Sequence, residues 1–411
     1  MSPLSRRTTL SGLALAPIAL APMVLAACRA GAGPGMPPAP ASGSLTSNPP
    51  DVAAAVATAA QAFMARTFAP GLAIGLTGPA GRQLFTFGAR DPAADLPVQD
   101  DTLFELGSIS KTYTVALAAI AVQDGAMRWD DPPARHVPEV RGAGTDRLTA
   151  RHLATHCTGG MPLQFPDGVT DWPTTAAWFQ TWRPTADPGT MRSYANPSIG
   201  LLGVMAARAL GGDFATLVRE RILTPLGLRD TVHELGDREM PRMAWGHRRG
   251  EAGVPVRLDM GALGVQAYGV RASVSDVLAF VEAHLGLRDG PAPVLSALAA
   301  TRLGHYRTPP FVQAGIWEWF DAPAAPATVL EGISERVVFE LNPAEPLVPP
   351  QAPPPGAYVH KTGATSGFGG YAAFWPTRRT GLVILANRGH ATAERLALAG
   401  QLRPVLDRFA G

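Results

Sequence analysis

Two lysines serve the whole chain, Lys111 and Lys361; the other 33 of its 35 lysine and arginine residues are arginine. A guanidinium stays charged inside a protein, whereas a lysine ammonium is compact and gives up its proton when buried. A sequence that uses arginine for nearly every cation therefore keeps lysine where guanidinium would fail. Lys111 closes the stretch Ser108-Ile109-Ser110-Lys111. On a helix, positions i and i+3 share a face, so the Lys111 amine reaches the Ser108 hydroxyl. A serine at the N-terminal end of a helix also feels the partial positive charge there, which favours its alkoxide. A desolvated amine beside it accepts the proton and makes Ser108 a nucleophile.

The second lysine opens Lys361-Thr362-Gly363. It follows a strand-like run, and Lys361 and Thr362 offer a charge and a hydroxyl to a substrate carboxylate. Gly363 is expected to let the backbone approach a bound substrate closely. A third group, Tyr194-Ala195-Asn196, lies between the two. A phenol near a lysine has its pKa lowered and serves as a general base. Asn196 is expected to hold both a substrate amide and the catalytic lysine.

Particular elements must position these groups. Residues 108–124 read as a helix that is apolar on nearly every side, ended by Gly125, and such a helix belongs in the middle of a protein. An Ala-rich helix over 51–66 precedes two strands, 72–77 and 83–87. Three more strands, 357–362, 370–375 and 381–386, come before a closing helix over 393–409, and the last two strands suit a hairpin. The proline-rich stretch 346–355 reads as a surface loop. Between about 126 and 299 the pattern is mostly helical. The expected fold class is α+β: an antiparallel sheet built from both chain ends and flanked by helices, with an all-helical lobe inserted. One lobe would comprise about 51–125 and 300–411, the other about 126–299.

The rest of the composition narrows the function. A formal net charge of +2 over 411 residues is no footprint for nucleic acid. His152 and His156 are four apart, as in zinc helices, but Leu153 stands where such helices carry a general-base Glu, so no metal and no cofactor are expected. A tethered module that captures a ligand without turnover would show damage among Ser108, Lys111, Tyr194 and Lys361, and none is missing. Cys157 reads as a buried structural thiol.

Ser-x-x-Lys, Tyr-x-Asn and Lys-Thr-Gly, in this order and at these separations, resemble the class C β-lactamases of the penicillin-recognising serine hydrolases. The likeness extends to Phe104-Glu105-Leu106-Gly107-Ser108, to residues 160–167, to Ala267-Tyr268-Gly269-Val270 and to residues 360–370, and it spans roughly residues 51–410. It implies a β-lactamase/transpeptidase-like fold and hydrolysis of the β-lactam amide of cephalosporins and penicillins through an acyl-enzyme on Ser108. Lys111 and Tyr194 would share the proton transfers. Gln164 and Asn196 would bind the substrate's side-chain amide, Tyr268 would line the pocket wall, and Lys361 and Thr362 would face the carboxylate. Backbone N–H groups of Ser108 and Ala364 would form the oxyanion hole. A DD-peptidase or an esterase on the same scaffold is the alternative. Two asparagines that help many members contact the carboxylate appear here as Gly389 and Thr392, while Arg395 matches a family arginine. Cys157 stands where the family often has Thr.

The N-terminus carries an address. Arg6-Arg7 precedes an apolar run through Leu25, which is an export signal and suggests the twin-arginine route. Leu25-Ala26-Ala27-Cys28 resembles a lipobox, so Cys28 is expected to take a lipid and residues 29–50 to form a Pro/Gly/Ala/Ser tether. The expected product is an exported, periplasmic, membrane-anchored monomer whose partner is a small β-lactam.

Overall fold

The structure, a computed structural model, describes residues 50–410 apart from 251–253 and 323. The export segment, Cys28 and the tether lie outside the described residues. Helix α1 (Pro50–Thr67) is the first element of the described residues, with Asp51 in its first turn accepting the Val52 N–H at 2.9 Å. Strands β1 (Gly71–Gly78), β2 (Gly81–Asp91) and the short β3 (Leu96–Pro97) follow. A single 3₁₀ turn, Gly107–Ile109, runs directly into helix α2 (Ser110–Gln123). Helices α3 (Asn196–Ala209) and α4 (Val274–Leu285) belong to the long middle segment. The chain then returns to strands: β4 (Gly304–Thr308), β5 (Phe311–Ala314), β6 (Glu318–Phe320), β7 (Glu345–Gln351), β8 (Tyr358–Ala364), β9 (Gly369–Trp375) and β10 (Thr380–Ala386). Helix α5 (Thr392–Leu406) ends it, continued by a 3₁₀ turn over Asp407–Phe409.

These ten strands form one antiparallel sheet in the order β7-β4-β5-β6-β8-β9-β10-β1-β2-β3. Its seam is the pairing of the first strand with the last, Leu72 opposite Ala386 through Thr77 opposite Gly381. Both chain ends therefore build the same sheet, and the fold is α+β. On one face Val56 and Phe63 of α1 and Leu398 and Leu402 of α5 pack on Leu72, Ile74 and Ile384. On the other, Ala73, Val383 and Leu385 belong to the core that α4 covers with Leu278 and Val281. Because both faces are covered, β1, β9 and β10 are buried at every residue. That is why these runs lack the alternation of a half-wet antiparallel strand.

Residues 346–351 of the proline-rich stretch expected as a loop instead belong to the edge strand β7, paired with β4 through Glu345 opposite Arg307, while 352–355 is loop as expected. Proline cannot donate to a ladder, and the outermost position is where that loss costs least. The middle segment is mainly helix and turn. It also holds small ladders, among them Phe104–Glu105 against Arg271–Ala272 and the latter against Thr231–Val232. Helix α2 is buried from Ser110 to Ala121, packed between α3 and the helices Gly264–Tyr268 and Ala292–Ala300. No single helix among the described residues is long and apolar enough to cross a membrane.

Candidate active site

Ser108 sits in the 3₁₀ turn just before α2 rather than on the helix itself. That turn is wedged against the end of β8 by two glycines. Gly107 has φ +52, and a Cβ there would lie 2.5 Å from the Ala364 carbonyl oxygen. A Cβ on Gly363 would lie 2.0 Å from the Leu106 oxygen. Glycine at 363 therefore allows the close contact with the nucleophile turn, and the residue also lines the cleft beside Lys361.

The Lys111 Nζ donates to the Ser108 Oγ at 2.8 Å and to the Ala267 carbonyl at 2.9 Å. Lys111 is 0% exposed. Burial strips its ammonium of water and Lys361 repels it, which brings its pKa down to about 8 against the pull of Tyr194. The Tyr194 ring lies 5.2 Å from the Nζ of Lys111 and 5.2 Å from that of Lys361. Burial alone would raise the phenol's pKa, but the two ammonium groups and the nearby Ser108 hydroxyl outweigh it and lower it to about 8. Its buried hydroxyl has no hydrogen-bond partner of standard geometry, as befits a group that waits for a proton. Lys361 is buried too and donates to the Thr362 carbonyl at 2.9 Å.

The cleft has two chambers joined at Ser108. One, of about 250 Å³, is lined by Tyr194, Lys361, Thr362, Thr392 and Arg395. The other, of about 350 Å³, is lined by Tyr268, Leu258, Asp259, Ala364 and Thr365. Gln164 and Asn196 border both. Asn196 presents a buried Oδ1 with no protein partner. It does not hold Lys111, whose hydrogen bonds go to Ser108 and to the Ala267 carbonyl. A larger apolar hollow of about 630 Å³ lies elsewhere, between α5 and helix Pro326–Gly332, and none of these residues lines it.

Several contributors are absent from the motifs. Arg192, 1% exposed, pairs with Glu318 at 2.8 Å and donates to Gln313 at 2.7 Å. Its guanidinium lies 5.6 Å from the Tyr194 ring. Burial works against the Glu318 carboxylate, yet His360, Lys361 and Arg192 hold its pKa down to about 2. Three cations and one carboxylate thus surround the phenol. Arg395, which matches a family arginine, donates to the carbonyls of Gly363 and Gly370 and to the Thr392 hydroxyl, so it ties β8, β9 and α5 together. Gly389 lies close to the Ser366 carbonyl, where a Cβ would be 2.6 Å away. His152 and His156 do not converge as ligands. The His152 Nδ1 accepts the Thr149 N–H at 3.2 Å, and His156 bonds to Ser198 at 2.9 Å. Cys157 is a buried free thiol.

A serine hydrogen-bonded to a dehydrated lysine, facing a phenol of lowered pKa on an α+β scaffold, defines a serine hydrolase that works through an acyl-enzyme. The β-lactamase family model matches residues 56–406. A β-lactamase of Pseudomonas fluorescens is 35% identical over 358 residues, covering 87% of this chain and 99% of the relative. A solved class C β-lactamase of Rhodobacter sphaeroides superposes with a TM-score of 0.82 at 36% identity, covering 86% of this chain and 99% of that one. A β-lactamase/D-alanine carboxypeptidase of Pseudomonas syringae gives 0.83 at 37%, with the same coverage. The chain belongs to the β-lactamase family, as a serine hydrolase of the class C type.

Proposed function

We propose that Ser108 is the nucleophile with which this enzyme opens the β-lactam amide of cephalosporins and penicillins. The observation that carries the assignment is the 2.8 Å hydrogen bond between Ser108 and a fully buried Lys111, with Tyr194 alongside. The Ser108 Oγ attacks the lactam carbonyl while its proton passes to Lys111 and Tyr194. The backbone N–H groups of Ser108 and Ala364 receive the negative charge that forms on the carbonyl oxygen. The amide C–N bond breaks, and the ring nitrogen takes the proton back from the same pair. Water then attacks the ester, giving a proton to Tyr194 and Lys111, and the pair returns it to the Ser108 Oγ as the ester C–O bond breaks. Lys361 and Thr362 attract the substrate carboxylate, and Gln164, Asn196 and Tyr268 receive the acyl side chain.

Purified enzyme is expected to hydrolyse nitrocefin, and a slow β-lactam should leave a one-drug adduct on the peptide that carries Ser108. An adduct that persists in Ser108→Ala would overturn the assignment. Similarity to solved D-alanine carboxypeptidases favours a second activity on the same serine, release of D-alanine from a D-Ala-D-Ala peptide. The N-terminal sequence supports export, by the twin-arginine route through Arg6-Arg7, and anchoring of a periplasmic monomer through a lipid on Cys28.

A further inference from the structure

Glu105 lies three residues before the nucleophile and is 2% exposed. Its backbone is fixed by the ladder in which it stands opposite Arg271. Its two carboxylate oxygens reach in different directions. Oε1 accepts the Leu258 N–H at 2.6 Å, and Oε2 accepts the Thr365 hydroxyl at 2.6 Å. Those lengths belong to charge-assisted bonds, which are about twice as strong as neutral ones. Burial raises the carboxyl's pKa, and the hydrogen bonds from Thr365 and Leu258 and the charges of Arg271 and Arg257 oppose that rise only in part.

The two partners sit on different walls of one chamber. Thr365 follows Ala364, the proposed oxyanion donor, at the end of β8, and Leu258 belongs to the loop that faces it across the space open to the acyl side chain. Apart from Glu105, Thr365 is tied by its own N–H to the Phe368 carbonyl at 3.1 Å. We infer that Glu105 is a positioning residue: it clamps the Ala364–Thr365 end of β8 to the Leu258 wall and so sets the place of the oxyanion donor relative to Ser108. The geometry of an oxyanion hole is unforgiving, because a displacement of about 1 Å costs on the order of a hundredfold in rate.

The clamp makes a distinction that fold stability alone does not. Glutamine at 105 keeps it, since its carbonyl accepts the Leu258 N–H and its NH₂ donates to the Thr365 oxygen. Alanine loses both arms, and Thr365→Val loses one. We expect Glu105→Ala to lower nitrocefin kcat by roughly 30-fold or more, Thr365→Val by roughly five-fold or more, and Glu105→Gln to keep at least about a third of the native kcat. KM should change less than kcat. Affinity for phenylboronic acid, which forms a tetrahedral adduct on serine with an oxygen in the oxyanion hole, should fall in step with kcat. Should Glu105→Ala fail to fold, Thr365→Val and Glu105→Gln decide the matter. Near-native kcat in Thr365→Val, or a Glu105→Gln enzyme that loses kcat and boronate affinity as heavily as Glu105→Ala, overturns the clamp. The inference rests on the proposed chemistry at Ser108, and a native enzyme inert toward nitrocefin and the boronate would remove both, whereas an active native enzyme with indifferent variants removes the clamp alone.

Discussion

Lys361 should control the pH at which this enzyme becomes active, quite apart from any grip on the substrate. Its ammonium lies 5.2 Å from the centre of the Tyr194 ring. At an effective dielectric of about 20, a unit charge at that separation interacts by about 3 kcal/mol. That is about two pKa units. The same cation repels Lys111. Neutralising it in Lys361→Gln therefore pushes both groups in one direction, up from about 8 towards the ordinary phenol and amine values near 10. The sign follows from the role of the pair, because whichever member acts as base must be unprotonated before it takes the Ser108 proton. A base with pKa 8 is about one-tenth unprotonated at pH 7, and one with pKa 10 about a thousandth.

Turnover should thus rise with pH in both enzymes, with the limb displaced upward by one to two units in Lys361→Gln. At pH 7 this adds roughly a ten- to hundredfold loss to whatever pH-independent loss follows from a weakened carboxylate contact. Lys361→Arg keeps a cation and should leave the limb within about half a unit of native. The measurement is kcat/KM for nitrocefin between pH 5.5 and 10.5 for the three enzymes. A Lys361→Gln limb at the native pH, whatever the height of its plateau, would refute the electrostatic coupling among Lys361, Tyr194 and Lys111.

Four further outcomes are open to direct measurement. Lys111→Arg keeps the charge but removes the titratable amine, so kcat should drop by several orders of magnitude while circular dichroism stays native. Gly107→Ala adds a Cβ at φ +52 against the Ala364 backbone and should lower stability by about 1–3 kcal/mol in urea melts, with activity falling as the nucleophile turn shifts. Glu318 has a folded pKa of about 2, below its ordinary 4.5, so the stability it contributes is complete above pH 4.5 and is lost as pH falls towards 2; removing it in Glu318→Ala leaves Arg192 buried and unpaired, at a cost of about 3–5 kcal/mol in thermal or denaturant unfolding at pH 7. In fractionated cells the native enzyme should sediment with membranes and Cys28→Ala should be soluble, whereas equal solubility would make Cys28 a bystander.

What the sequence discloses about this site, and what it withholds, divides along the range of the interactions. Ser108 and Lys111 are one helical turn apart, so their contact follows from local geometry. The lysine economy marks Lys361 as special without saying where it lies. The unbroken apolar runs of β1 and β10 announce strands covered on both faces. The proline-rich segment was opaque for the opposite reason, since composition argues against a strand while the sheet edge tolerates one. Arg192 and Glu318 carry no local signal at all, and Glu105 none beyond its place in the familiar stretch before Ser108. Arg192 and Glu318 are 126 positions apart, and Glu105 reaches Leu258 and Thr365 across 153 and 260 positions. Each is a charged side chain that a sequence assigns to the surface by default. They are buried here because the sheet brings both chain ends to one place, and the nucleophile turn stands where β8 and the inserted segment meet. The motif residues supply the reacting groups. The charges that tune them come from that convergence, and only the folded chain makes them neighbours.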